Sequence, residues 1–218
     1  VLVGALVAAY FLLFPTSSAK RFAVTAPNAA SGTAAPPASV GGNWVVASGS
    51  KAGYRVREKL AFLPAQSDAV GRTSAITGNA TLKTSGKRVT VKAATFDVDV
   101  GKLTSDKDMR DQRIHQIGLE SDRYPTASFK LAKRITLTGD AAAGKVVKVP
   151  ATGVFTIHGT SKTETVPLQL RLTDTTLQAV GSLTFPWGEF GMTAPSVAGF
   201  VNVTDRATME FDLRLKSG

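Results

Sequence analysis

The chain has 218 residues, 43% apolar and 19% charged, which suits one sizeable all-β domain or two small ones with a buried core. It has no cysteine, which excludes disulfides, thiolate metal sites and a cysteine nucleophile among these residues, and an acylated lipoprotein N-terminus is not expected. The formal charge of +10 fits anionic lipid head groups or nucleic acid, and fits plain solubility equally.

In chain order, Val1 to Phe14 (VLVGALVAAYFLLF) is an apolar run, shorter than the roughly 20 residues a helix needs to cross a bilayer. Residues 1–16 are read as part of a signal-anchor helix, with a signal peptide cleaved near Ser17-Ser18-Ala19 as the alternative. Lys20-Arg21, just beyond, mildly opposes an outward C-terminal side. The expectation is nonetheless an extracytoplasmic protein held to the cytoplasmic membrane by this helix, or secreted after cleavage. Such a protein seldom meets nucleic acid, so none is expected as a partner. Residues 17–42 are rich in Ala, Pro, Ser, Thr and Gly without periodicity, and read as a disordered tether. The folded domain is expected over 43–218.

From there the pattern has period two. Met209, Phe211, Leu213 and Leu215 alternate with charged residues, as do Leu168, Leu170 and Leu172 with Gln169 and Arg171, and Ala127, Phe129 and Leu131 with Ser128 and Lys130. That is half-buried antiparallel strand. Further strands are expected at 44–48, 54–60, 74–83, 89–100, 135–138, 146–157, 178–185 and 200–205, separated by turn signals such as Ser85-Gly86-Lys87 and His158-Gly159-Thr160. Between Ala93 and Thr95 the apolar phase switches from odd to even positions, which predicts a β-bulge. This many short strands in one domain point to a closed barrel or a sandwich.

One stretch breaks the pattern. Thr104 to Phe129 is charged and helix-like until Tyr124-Pro125 returns the chain to extended geometry. Thr104 or Ser105 is the expected helix cap, and Met109, Gln112/Arg113 and Ile117 give a thin apolar stripe, so the helix should lie on the strands as a lid. Arg110 and Asp111 are adjacent and do not face each other on a helix. Each is expected to tie the lid to the barrel, Asp111 through backbone N–H groups, with contact between Arg110 and a head-group phosphate as the functional alternative.

The order Trp44, Gly78-x-Ala80-x-Leu82, Leu103-Thr104 with Arg110-Asp111, then Tyr124-Pro125 before Phe129, resembles the YceI-like family. Thr152-Gly153-x-Phe155-Thr156-Ile157-His158-Gly159-Thr160 resembles that family's later hairpin, and Phe190-Gly191 its element before the last strand. Where the family often has Arg ahead of Phe-Gly, this chain has Pro186-Trp187-Gly188-Glu189. The resemblance implies an extended, lipocalin-like antiparallel β-barrel of about eight strands that binds a polyisoprenoid or other long-chain lipid without catalysing a reaction.

An eight-stranded barrel is just wide enough for one slender ligand. On that reading Phe96, Phe129, Phe155, Ile157, Phe185, Phe190 and Phe211 line the tube and Trp187 sits at its mouth, although each fits an ordinary core position too. His115 and His158 read as plain surface or turn residues: no His/Asp/Glu cluster has metal-ligand spacing and no GxSxG elbow is present. No cofactor, metal or catalytic residue is expected, and a homodimer remains open. The rival readings are a solid-core envelope interaction domain and, less favoured, an enzyme using one of the histidines as base.

Overall fold

The computed structural model describes residues 19–24, 40–60, 66–137, 144–197 and 201–218; residues 1–16, most of the tether, Phe62 and Phe200 lie outside them. The alternating segments form antiparallel strands β1 (Gly42–Val46), β2 (Lys51–Leu60), β3 (Gln66–Thr73), β4 (Ile76–Ser85), β5 (Arg88–Asp99) and β6 (Thr126–Leu131). They continue as β7 (Ile135–Leu137), β8 (Val147–Ile157), β9 (Thr160–Leu172), β10 (Leu177–Pro186), β11 (Ser196–Val197) and β12 (Val201–Ser217).

Register shows how these close. β1 and β2 run along β12 as one stave broken by a turn, from Trp44↔Ser217 to Leu60↔Val201. β3 and β4 form the next stave, pairing Tyr54↔Gly71 and Trp44↔Ala80. Each stave then neighbours its predecessor in sequence, and β12 returns to the first, giving a closed eight-stranded antiparallel barrel with short extra strands. Closure removes the unpaired edges that an open sheet of this size would expose.

The phase switch is a bulge: Thr81 pairs with Ala93 and Leu82 with Val91, leaving Lys92 over. Inward positions accordingly shift from Val89 and Val91 to Ala94, Phe96 and Val98. Two expected strands, 200–205 and 209–215, are one long β12 with a register shift between Val203 and Ala207. β3 was not expected at all. Its inward positions are Ala69 and Gly71, too small to read as an apolar alternation, and the Tyr54 ring lies over Gly71, where a Cβ would come within 2.3 Å of it.

The barrel is filled at one end only. Trp44, Leu82, Val89, Leu137, Leu172 and Leu215 are each at most 2% exposed and plug the end away from the lid, with Trp44 Nε1–H donating to Val40 O at 3.0 Å. Toward the other end the inward positions hold Ala52, Ala127, Ala151, Ala179 and Ala207, which leave space.

Candidate functional site

The lid covers the spacious end. It contains one short helix, α1 (Asp108–Arg113), which runs into a π-helical turn at Ile114–Gly118. The expected stripe is displaced: Met109 is 66% exposed, while Ile114 is 3% exposed and points into the barrel with the buried Gly118. The wider π turn rotates the chain, so spacing from a regular helix misplaces the buried face. The cap also differs. Lys107 holds the N-cap position without a side-chain bond, and Ser105 Oγ instead accepts from Lys107 N–H at 3.2 Å.

Arg110 and Asp111 hold the lid from opposite directions. Arg110 reaches down to β2, donating through Nε and Nη2 to the two carboxylate oxygens of Glu58 at 3.0 Å each, and it also pairs with Asp106. Burial opposes the Arg110 charge, but the hydrogen bond and charge of Glu58 outweigh it and raise its pKa further. Asp111 turns back along the chain, both oxygens accepting from Ser105 N–H at 2.9 and 3.0 Å. Thr104 pairs with Arg72 of β3 through main-chain hydrogen bonds and anchors the lid's start.

Both histidines are structural ties, His158 within the turn expected for it. His115 Nε2–H donates to Leu103 O at 3.0 Å, so the proton is on Nε2, and Nδ1 bonds the Ser121 hydroxyl at 2.8 Å. His158 occupies the β8–β9 turn at φ +51° beside Gly159 at +71°, the doubly positive geometry of a tight hairpin. Its ring packs on Tyr124 at 4.2 Å and its Nε2 lies 2.5 Å from Glu120 Oε2, fastening the end of the lid.

Beneath the lid lie two adjoining cavities that share Ala52, Val98, Ala127 and Met209. The inner one leaves about 90 Å³ to the centre of a water molecule, within about 670 Å³ of unfilled space that includes open solvent. The outer one, directly under Ile114 and Leu119, leaves about 70 Å³ within about 580 Å³. Through their shared residues the two cavities form one continuous apolar space beneath the lid.

Phe96, Phe129, Phe155 and Phe211 line the inner cavity, and Ile157, Phe185 and Trp187 the outer one. Phe96, Phe129 and Phe155 stand in one row across β5, β6 and β8, with ring centroids 6.4 and 4.7 Å apart. Gly153 makes the row fit, since a Cβ there would come within 2.1 Å of the Phe129 ring. Phe190 is displaced from the tube: it is fully buried behind Phe185, their centroids 4.7 Å apart, and touches neither cavity. Trp187 is 5% exposed in the turn Trp187–Phe190, its Nε1–H donating to Thr204 O at 2.9 Å, and packs near Gly118 of the lid. It is a wall beneath the lid rather than a loop aromatic at an open mouth.

Residues missed from the sequence include Tyr54, Met192 and Met209. Tyr54 is 8% exposed, and its hydroxyl, near Ser105 of the lid, closes no hydrogen bond. Burial, and next the negative charge of Asp111, push its pKa well above the ordinary tyrosine value.

A closed eight-stranded barrel with a narrow apolar interior under a lid belongs to the lipocalin-like architecture. The chain is a member of the YceI-like domain family, whose model matches residues 44–215. No curated protein matches it. Among solved structures it resembles a polyisoprenoid-binding domain from Saccharophagus degradans implicated in plant cell wall breakdown, at 14% identity and a TM-score of 0.58 over 81% of this chain and 98% of that one. It also resembles Burkholderia cenocepacia BcnA, at 20% identity and a TM-score of 0.52 over 76% of this chain and 95% of that one. The Campylobacter jejuni YCEI protein follows at 14% identity and a TM-score of 0.51, over 68% and 84%. At these identities the likeness is one of fold.

Proposed function

We propose that this protein binds one long apolar lipid, a polyisoprenoid or a similar amphiphile, with its tail in the barrel and no chemical reaction. The carrying observation is the two-part cavity itself, lined by aromatic and aliphatic side chains apart from Ser128 and Thr208, plugged at one end and lidded at the other. The lipid ligand of the Saccharophagus degradans domain supports the same reading.

Magnitudes set the ligand's length. Each buried methylene contributes about 0.8 kcal/mol, so ten carbons supply roughly 8 kcal/mol, the size of a micromolar affinity. Association costs several kcal/mol of lost freedom, so a short tail would not stay. A long one would, with no polar contact. Export and attachment to the cell envelope through the N-terminal apolar segment fit such a ligand, and sequestration, transport or protection from stress are all services this binding mode can perform.

The test uses Trp187 as reporter. The chain has only two tryptophans, so the Trp44→Phe variant leaves Trp187, which lines the outer cavity. A long-chain prenol carrying a nitroxide should quench its fluorescence with saturation. Adding Ala127→Phe, which fills the space common to both cavities, should abolish quenching without unfolding the barrel. Quenching that survives the filled cavity, or never saturates, contradicts the proposal.

A further inference from the structure

The outer wall of β12, β2 and β3 carries a buried charged cluster that the lipid site does not use. Glu210, Gly53 and Arg72 lie side by side across these strands, with Arg55 in the next row. The side chains of Glu210, Arg72 and Arg55 point away from the lumen, since the neighbours Phe211, Gly71, Ala52 and Tyr54 face it. Charged residues on an outer wall are normally wet, yet the side chains of Arg55 and Glu210 are only 5% and 3% exposed. Arg55 Nε lies 3.2 Å from Glu210 Oε2 and its Nη1 3.2 Å from Asp68, while Arg72 Nη2 reaches Glu210 Oε1 at 2.8 Å. Gly53, without a side chain, leaves Arg72 room to cross the wall: a Cβ there would lie 3.0 Å from Arg72 Cγ.

What covers part of this cluster is the chain's own segment 19–24. Arg55 Nη2 donates to Ala19 O at 2.7 Å, Arg72 Nη2 donates to Lys20 O, and the Arg72 guanidinium stands 4.0 Å over the Phe22 ring. Successive main-chain carbonyls are thus taken by adjacent guanidiniums that acidic partners hold in place, with an aromatic stack beside them. Two arginines fixed by carboxylates form a seat for an extended backbone. Residues read from sequence as free tether are seated in it.

We infer that segment Ala19–Val24 is an internal clip that fixes which end of the barrel faces the membrane. Arg72 carries the clip through its side chain and the start of the lid through its main chain, pairing with Thr104. The clip therefore sits beside the lid, not beside the plugged end. Only residues 15–18 separate it from the apolar run ending at Phe14, and the five steps from Phe14 to Ala19 span at most about 18 Å. A membrane segment at 1–14 would then hold the lidded mouth toward the bilayer, where a lipid is collected or delivered. This orientation rests on the anchoring proposed above, whereas the clip itself does not.

The clip contains its own probe. The side chains of Lys20 and Arg21 are exposed tryptic sites inside a segment whose backbone is held, and cleavage there requires release. In the full chain, Phe22→Ala, which alters no barrel residue, should speed trypsin cleavage after Lys20 and Arg21 by about tenfold or more, and Arg72→Ala should do the same. Equal rates in the parent and in Phe22→Ala would overturn the clip. Orientation is read in phosphatidylcholine vesicles containing a rhodamine-headgroup lipid. Because the chain has no cysteine, a single donor dye can be placed at Asp122→Cys in the lid or at Lys87→Cys at the plugged end. Energy transfer should be stronger from 122, and Phe22→Ala should erase the difference. Stronger transfer from 87, or a chain that never associates with the vesicles, overturns the orientation. The second outcome also removes the anchoring reading, and neither touches the prenol result.

Discussion

Replacing Arg110 by methionine keeps the aliphatic stem and removes the guanidinium that lies 3.0 Å from both oxygens of Glu58. Their side chains are 13% and 10% exposed, so the stranded carboxylate would face mostly protein. Stranding one member of a fully buried pair costs about 3–5 kcal/mol; the remaining access to water lowers the expectation to about 2–3 kcal/mol. That loss is local. What else holds the lid is the burial of Ile114, about 2 kcal/mol, and hydrogen bonds of about 1 kcal/mol each, such as those of His115. The lid should therefore open alone. By hydrogen exchange, amides from 108 to 118 should exchange roughly 30- to 150-fold faster, while those of β9 change by less than about twofold. Adding Glu58→Gln removes the stranded charge and should restore about half of the protection. The reasoning is refuted if lid amides keep their protection, or if lid and β9 accelerate together, because the lid would then not be a separately latched element.

Tyr54→Phe tests the buried phenol beneath the lid. Its folded pKa lies above the unfolded value of about 10. Below about pH 10 the phenol is neutral in both states and costs nothing by ionisation; as pH rises beyond, the unfolded chain ionises first and folding loses stability. The variant should flatten the alkaline arm of a Tm–pH curve and gain up to about 1 kcal/mol at neutral pH, since the hydroxyl has no partner; an unchanged alkaline arm would count against this assignment. His115→Ala should loosen the lid, with exchange about tenfold faster there and little change in barrel Tm, because its two hydrogen bonds span only Leu103 to Ser121. Gly153→Ala should lower stability by about 1–3 kcal/mol in denaturant melts, because its methyl collides with the Phe129 ring. A neutral Gly153→Ala would show that the aromatic row can shift.

The inward faces were readable because alternation reports them: Phe129 and Phe155 sit at apolar positions of half-buried strands, and the phase switch announced the bulge at Lys92. That the rings form one row was not readable, since it depends on register across three strands and on the glycine at 153. Trp187 and Phe190 look alike in sequence, yet a single turn sends one to the cavity wall and the other behind Phe185. Tyr54 was hidden by its charged neighbours Arg55, Arg57 and Glu58, which suggest a wet strand. Glu58 instead meets the lid, and Arg55 meets Glu210. The clip was not readable because Ala19 and Lys20 contribute only carbonyls, which every residue has, and one aromatic, Phe22, in a low-complexity tether does not announce the arginine it meets.

Native mass spectrometry of the full chain, extracted gently from the membranes of the cells that make it, tests the lipid-binding claim most directly. The account predicts a protein carrying one bound lipid, released on unfolding and identified by organic extraction as a long, largely hydrocarbon chain. A population of purely apo mass, with no such lipid in the extract and none taken up when long-chain prenols are supplied, would contradict it.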